Sequence, residues 1–172
     1  MKPLPSPYLR GNSYISSYDL YKKEMAVLFH ERAAGGKLKQ KPGIRELLLF
    51  LREQGIKTAV ASSTRRELVC RELEEGGLLH LFDQVICGDM VKRSKPEPDI
   101  YLKACEALGV EPEQAYAIED SYNGIRSAHR AGMKPIMVPD LAGPTKEMEL
   151  LADRILPSLL EVKDMLEKEF AR

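Results

Sequence analysis

The chain has no surplus of charge of either sign: lysine plus arginine and aspartate plus glutamate each total 26 in 172 residues. With no net field to gather nucleic acid or anionic lipid, neither is expected as a partner, although a local anion site is compatible with neutrality. Cysteine is scarce. Cys70, Cys87 and Cys105 show no C-x-x-C pairing and no metal-ligand spacing. So sparse and odd a set fits a reducing cytoplasm in which buried thiols behave as small hydrophobes. His30, His80 and His129 are equally scattered, which argues against a histidine-bound metal. Long apolar stretches are missing as well. The longest, Leu47 to Leu51, is far too short to span a bilayer, and Met1 to Pro7 has no apolar segment of the kind a secretory signal needs. A soluble, cytoplasmic protein is expected.

What the chain does contain is the mixture of an ordinary globular domain, 44% hydrophobic and 30% charged. Residues 1–12 are proline-rich and aperiodic and read as an irregular lead-in. Tyr21, Met25, Leu28 and Phe29 recur at helical spacing, which predicts a helix from Ser16 or Ser17 to about Arg32, ended by Gly35-Gly36. From Pro42 onward, helices alternate with short apolar strands. Helices are expected over Ile44–Gln54, Thr64–Glu75, Pro98–Leu108, Ser121–Ala131, Thr145–Leu151 and Ser158–Phe170, the second opened by capping-box spacing between Thr64 and Glu67. Strands are expected over Lys57–Ala61, Gln84–Cys87, Ala115–Ile118 and Lys134–Val138, with an edge strand at Arg154–Leu156. A helix–glycine–strand phrase recurs in LREQG-IKTAV, in CEALG before AYAIE, and in HRAG-MKPIMV. Strands joined through helices run parallel, and right-handed crossovers place helices on both faces. The fold class is α/β, an open, doubly wound parallel sheet.

Ligands of such sheets bind beyond the carboxyl ends of the strands. Ser62, Ser63 and Thr64 follow one predicted strand, a loop carrying Lys95 follows the next, and Glu119-Asp120 follow a third. Taken singly, the hydroxyls fit a helix cap, Lys95 fits a solvated loop lysine, and Pro96 and Pro98 fit a stiffened helix entry. Two adjacent carboxylates repel and need a cation or donors nearby. Together, on one sheet edge, these are the parts that hold a phosphate with Mg²⁺.

With these residues in place, the chain resembles the haloacid dehalogenase (HAD) superfamily, in the branch with a helical cap that contains β-phosphoglucomutase and phosphoglycolate-type phosphatases. The likeness is carried by KPGIRELL at 41–48, KTAVASST at 57–64, FDQVICGDMVKRSKPEPDIYLKACEALGV at 82–110 and AYAIEDSYNGIRSAHRAGM at 115–133. It implies a Rossmann-like core over 41–172 and a partial helical cap over 1–40. It further implies that Ser62 bonds the phosphoryl group and that Ser63 adds a backbone N–H. Lys95 would neutralise charge on phosphate and nucleophile. Asp120 would bind Mg²⁺, with Glu119 coordinating directly or through water. Asn123 and Gly124 would shape the turn, and Arg65 is a weaker candidate for gripping a substrate phosphate.

One departure is severe. The family begins with a strand ending in D-x-D-G, whose first aspartate attacks phosphorus and whose second is the general acid and base, and this sequence contains no D-x-D. Asp19, Asp83, Asp89 and Asp99 lack the preceding strand and following glycine turn. The resemblance therefore implies a core without its first central strand, between the strands ending at Ser62 and Glu119. Such a core would be poorly stable, with two unpaired inner edges, and incapable alone of covalent phosphoryl transfer. One reading makes the chain a fragment, or a late-start gene model, of an Mg²⁺-dependent phosphatase or phosphomutase. That enzyme would act on a small phosphorylated metabolite, a sugar phosphate, through an aspartyl-phosphate. The other makes it a non-catalytic phosphate-binding module, or one completed by another chain or segment. A phospho-acceptor regulatory domain would also need an acceptor aspartate after a central strand.

Overall fold

The computed structural model describes residues 26–29 and 40–171. The strands are β1 (Ala26–Phe29), β2 (Lys57–Ser62), β3 (Gln84–Cys87), β4 (Ala115–Glu119), β5 (Lys134–Met137) and β6 (Arg154–Ile155). The α-helices among the described residues are α1 (Ile44–Glu53), α2 (Arg66–Glu75), α3 (Asp99–Leu108), α4 (Tyr122–Arg130), α5 (Lys146–Leu151) and α6 (Leu159–Phe170). All strand pairs are parallel, in the order β3-β2-β1-β4-β5-β6. Among the described residues no helix is long and apolar enough to cross a membrane.

Sheet composition explains the layering. Along β2 and β4 the side chains alternate, as a period of two requires. Val60, Tyr116 and Ile118 face a core completed by Leu47, Leu48 and Leu51 of α1, Val69 and Leu73 of α2, and Val162, Leu166 and Phe170 of α6. Ala59, Ala61, Ala115 and Ala117 face the other way, toward Ile100, Tyr101, Ala104 and Leu108 of α3. Four alanines on the sheet leave room for large residues on the helix, so the two surfaces fill one another's volume. The three glycines that end the repeated phrase, Gly55, Gly109 and Gly132, all have positive φ, the conformation that turns a helix back toward its sheet. Cys87 and Cys105 are buried, and burial above all pushes their thiols up to about 11 and about 12, so they serve as small hydrophobes.

The expectation that the core lacks its first central strand is corrected by β1. Residues 26–29 lie between β2 and β4, with Phe29 opposite Val60 on one side and Ile118 on the other. The helix expected from Ser16 or Ser17 to Arg32 therefore does not hold at 26–29, and these residues belong to the core sheet rather than to a cap ending at residue 40. The rest of that helix and cap lies outside the described residues. The cause is physical: Ala-Val-Leu-Phe is a continuous apolar run, which satisfies helical spacing with Met25 and a strand inside a parallel sheet equally well. The slot between β2 and β4 offers backbone partners along both edges, and this decides the conformation. With β1 in place, the two inner edges are paired, and the instability expected of a vacant core loses its basis. Native-state hydrogen exchange should show the amides of Val27 to Phe29 opening only with the global transition, as those of Val60 and Ile118 do. Exchange of β1 well ahead of its neighbours would contradict this placement.

Candidate functional site

Lys95 enters the carboxyl edge of the sheet from the loop after β3. The loop is clamped on both sides: Arg93 forms a bidentate pair with Asp99 at 2.7 and 3.2 Å, Ser127 Oγ donates to the Glu97 carbonyl at 2.6 Å, and Arg130 reaches the Pro96 carbonyl and the Glu97 carboxylate at 3.1 Å each. The Lys95–Pro96 peptide is cis. The lysine side chain is only 4% exposed. Its Nζ donates to the Ala61 carbonyl of β2 at 3.0 Å, to Glu119 Oε1 of β4 at 2.6 Å, and to the Tyr101 hydroxyl of α3 at 3.3 Å. The ammonium thus bridges the two strands that flank β1.

Glu119 receives this charge in a fitted cradle. Its side chain is fully buried. Oε1 also accepts from the Tyr101 hydroxyl, and Oε2 accepts from Ser121 Oγ at 3.0 Å and Ser121 N–H at 3.4 Å. Ser121 is at the same time the N-cap of α4, accepting from Gly124 N–H at 3.1 Å. Burial, the Glu119 charge and the hydrogen bond to it hold the Tyr101 phenol well above its ordinary pKa, which keeps it a donor. A Cβ on Gly124 would lie 1.9 Å from the Glu119 carboxyl carbon, so the carboxylate occupies space that only glycine leaves open.

Ser62 ends β2, directly after the carbonyl that Lys95 uses. It is buried, and its Oγ accepts from Thr64 N–H at 3.2 Å. Asp120 follows Glu119 but turns to Lys41, whose Nζ lies 3.3 Å from Oδ2 and donates to the Val138 carbonyl at 3.3 Å. The structure therefore gathers Ser62, Lys95, Glu119 and Asp120 at one sheet edge. Three other candidates are placed differently. Ser63 is exposed in the turn after β2, and Arg65 is exposed at the N-cap of α2. Asn123 is exposed on α4, its Oδ1 accepting from Arg126 at 2.9 Å. The capping box expected from Thr64 is also corrected. Arg65 is the N-cap and makes no side-chain cap bond, while Asp89 from the loop after β3 accepts from Arg66 N–H at 3.2 Å. Tyr101, Ser121 and Lys41 are site residues that sequence reasoning does not single out. Tyr101 carries a signal all the same, a single hydroxyl-tipped residue on the otherwise apolar inner face of α3.

The donor chemistry bears directly on the magnesium that the resemblance implies. Mg²⁺ demands near-octahedral oxygen ligation with at least one or two carboxylates to hold it. Among the described residues no group of three or more acidic, histidine or cysteine side chains is arranged to hold a metal. Both oxygens of Glu119 already accept from protein donors, and Asp120 is ion-paired to Lys41. Lys41 engages only Oδ2 of Asp120, whose Oδ1 is buried at the same edge, so Asp120, with Glu119 beside it, is the described carboxylate that would hold such an ion.

A parallel sheet in this order, with a lysine, a serine and an acidic pair gathered at its carboxyl edge, defines a Rossmann-like α/β class. The family model for haloacid dehalogenase-like hydrolases matches residues 11–138, and the chain belongs to that family. It is 40% identical to protein CbbY of Cereibacter sphaeroides over 75% of its own length and 57% of that protein's. It is 41% identical to the phosphorylated carbohydrates phosphatase of Thermotoga maritima, over 58% of this chain and 46% of that one. The crystal structure of a CbbY mutant from Rhodobacter sphaeroides in complex with xylulose-(1,5)bisphosphate is similar at a TM-score of 0.66 and 38% identity, over 74% of this chain and 57% of that one. The chain thus spans about half the length of these relatives.

The cradle around Glu119 makes one sharp demand. Gly124→Ala should destabilise the fold by about 3 kcal/mol or more, because the new methyl meets a fixed buried carboxylate. Gly143→Ala, where a Cβ meets nothing within 4 Å, should shift stability by less than about 0.5 kcal/mol. Urea denaturation of the two variants side by side checks the contrast; equal effects would show that the cradle is loose.

Proposed function

We infer that this chain is the phosphate-handling core of a phosphatase or phosphomutase whose substrate is a small phosphorylated metabolite, a sugar phosphate, and that the chain alone binds such groups without turning them over. The observation that carries the reading is the buried Lys95 ammonium, held across the ends of β2 and β4 beside Ser62. The relatives support the substrate class: one is named for phosphorylated carbohydrates and another was crystallised with a sugar bisphosphate. The absence of turnover rests on chemistry. Covalent phosphoryl transfer needs a nucleophile in line with phosphorus. The residues that follow β1 in sequence are His30-Glu31-Arg32, which lie outside the described residues, and no D-x-D occurs anywhere in the chain.

Two measurements on one preparation test this. With millimolar MgCl2 the purified chain should hydrolyse p-nitrophenyl phosphate no faster than buffer. Inorganic phosphate or a hexose phosphate, added at a hundredfold excess over its Kd, should stabilise it by about 2.7 kcal/mol. Turnover that disappears in Lys95→Met would contradict the inactivity, and a melting temperature indifferent to every phosphate ester would contradict the binding.

A further inference from the structure

We propose that Gly88 is a positioning residue for phosphate: by lacking a side chain, it seats the Ser62–Thr64 turn where that turn meets an anion beside Lys95. This rests on the phosphate-handling reading above, since it names what holds the turn that reading assigns to phosphate.

β2 and β3 pair as far as Ser62 opposite Cys87, so Gly88 is the first residue past the ladder, next to the turn that leaves β2. Two contacts fix the turn there. Gly88 N–H donates to the Thr64 carbonyl at 3.0 Å. A Cβ on Gly88 would lie 2.3 Å from the Ser63 carbonyl oxygen and 2.9 Å from its carbonyl carbon. The peptide joining Ser63 to Thr64 is thus laid against the bare Cα of Gly88. What a methyl would strike is backbone, which cannot swing aside as the tip of a side chain can. Gly88 is not among the described glycines with positive φ, so the position uses the missing Cβ and not glycine's conformational freedom.

The contact reaches the candidate phosphate groups by a short route. Ser62 Oγ accepts from Thr64 N–H at 3.2 Å, and that N–H belongs to the same peptide unit that lies on Gly88. Tilting the peptide away would move the donor that orients the Ser62 hydroxyl. A second line of stitching runs alongside: Asp89 accepts from Arg66 N–H at 3.2 Å, and the Arg66 guanidinium donates to the Val85 carbonyl. The loop that starts at Gly88 then returns at Lys95 to the Ala61 carbonyl, one residue before Ser62, at 3.0 Å. Gly88 therefore sets the turn relative to the ammonium.

The test titrates inorganic phosphate into the full chain and follows the amide signals of Ser63, Thr64 and Gly88 by NMR. In the wild-type chain all three should move along one saturable curve. Gly88→Ala should weaken phosphate about tenfold or more, the order of loss that an ångström-scale misplacement produces. Gly77→Ala is the matched control. At φ +65°, with an Arg45 side-chain nitrogen 3.2 Å from the new methyl, it strains the far end of α2 and should leave phosphate affinity as in wild type. Unchanged affinity in Gly88→Ala, or an equal loss in Gly77→Ala, overturns the proposal and leaves the phosphate reading standing. Should Gly88→Ala fail to fold, the wild-type titration decides: a Gly88 amide that stays still while Ser63 and Thr64 shift overturns the proposal. A wild-type chain with no saturable shift overturns the phosphate reading itself, and the proposal with it.

Discussion

A lysine ammonium and a glutamate carboxylate, both withdrawn from water, meet at 2.6 Å beneath the carboxyl edge of the sheet. Removing either ion from solvent costs several kcal/mol, and their attraction offsets this only when the remaining donors and acceptors are also satisfied. Much of the surrounding architecture supplies that condition. The Ala61 carbonyl and the Tyr101 hydroxyl engage Lys95. Ser121 takes the second oxygen of Glu119 while capping α4, and Gly124 leaves the space that the carboxylate fills. The alanine face of β2 and β4 allows α3 to present Tyr101 to the pair. Side chains from distant parts of the sequence are thus fixed by a single electrostatic requirement.

The same requirement shapes what the edge can do. A cation bonded to strands on both sides of β1 cannot move far, so any anion it helps to hold must come to it. Preorganised charge of this kind suits a phosphoryl group, because it needs no rearrangement when the ligand arrives. A second ammonium, that of Lys41, lies 3.3 Å from Oδ2 of Asp120. Membership of the haloacid dehalogenase-like hydrolase family gives these residues their context.

Much of this arrangement is legible in the amino-acid sequence. The helix–glycine–strand phrases are local signals, each a C-terminal glycine followed by an apolar run, and every strand expected after Pro42 appears within a residue or two of its expected bounds. Lys95, Ser62 and the Glu119-Asp120 pair are readable because topology alone sends the ends of parallel strands to one edge. What escapes depends on tertiary partners. Ala26–Phe29 has no local pattern that separates helix from strand, and only the slot between β2 and β4 settles it. Lys41 lies just before the helix expected from Ile44, with no local signal of a partner, and its ion pair joins it to Asp120 far along the sequence. Asp89 replaces a capping box that Thr64 and Glu67 satisfy in spacing but not in space.

The direct test of the central charge pair is a double-mutant cycle on Lys95 and Glu119, read by urea denaturation. Lys95→Met and Glu119→Gln should each cost about 3–5 kcal/mol, because each leaves a buried partner uncompensated. The double variant should lose well under the sum, with a coupling of about 2 kcal/mol or more. Losses that simply add, to within about 0.5 kcal/mol, would mean that the two groups do not sense one another and would contradict the account.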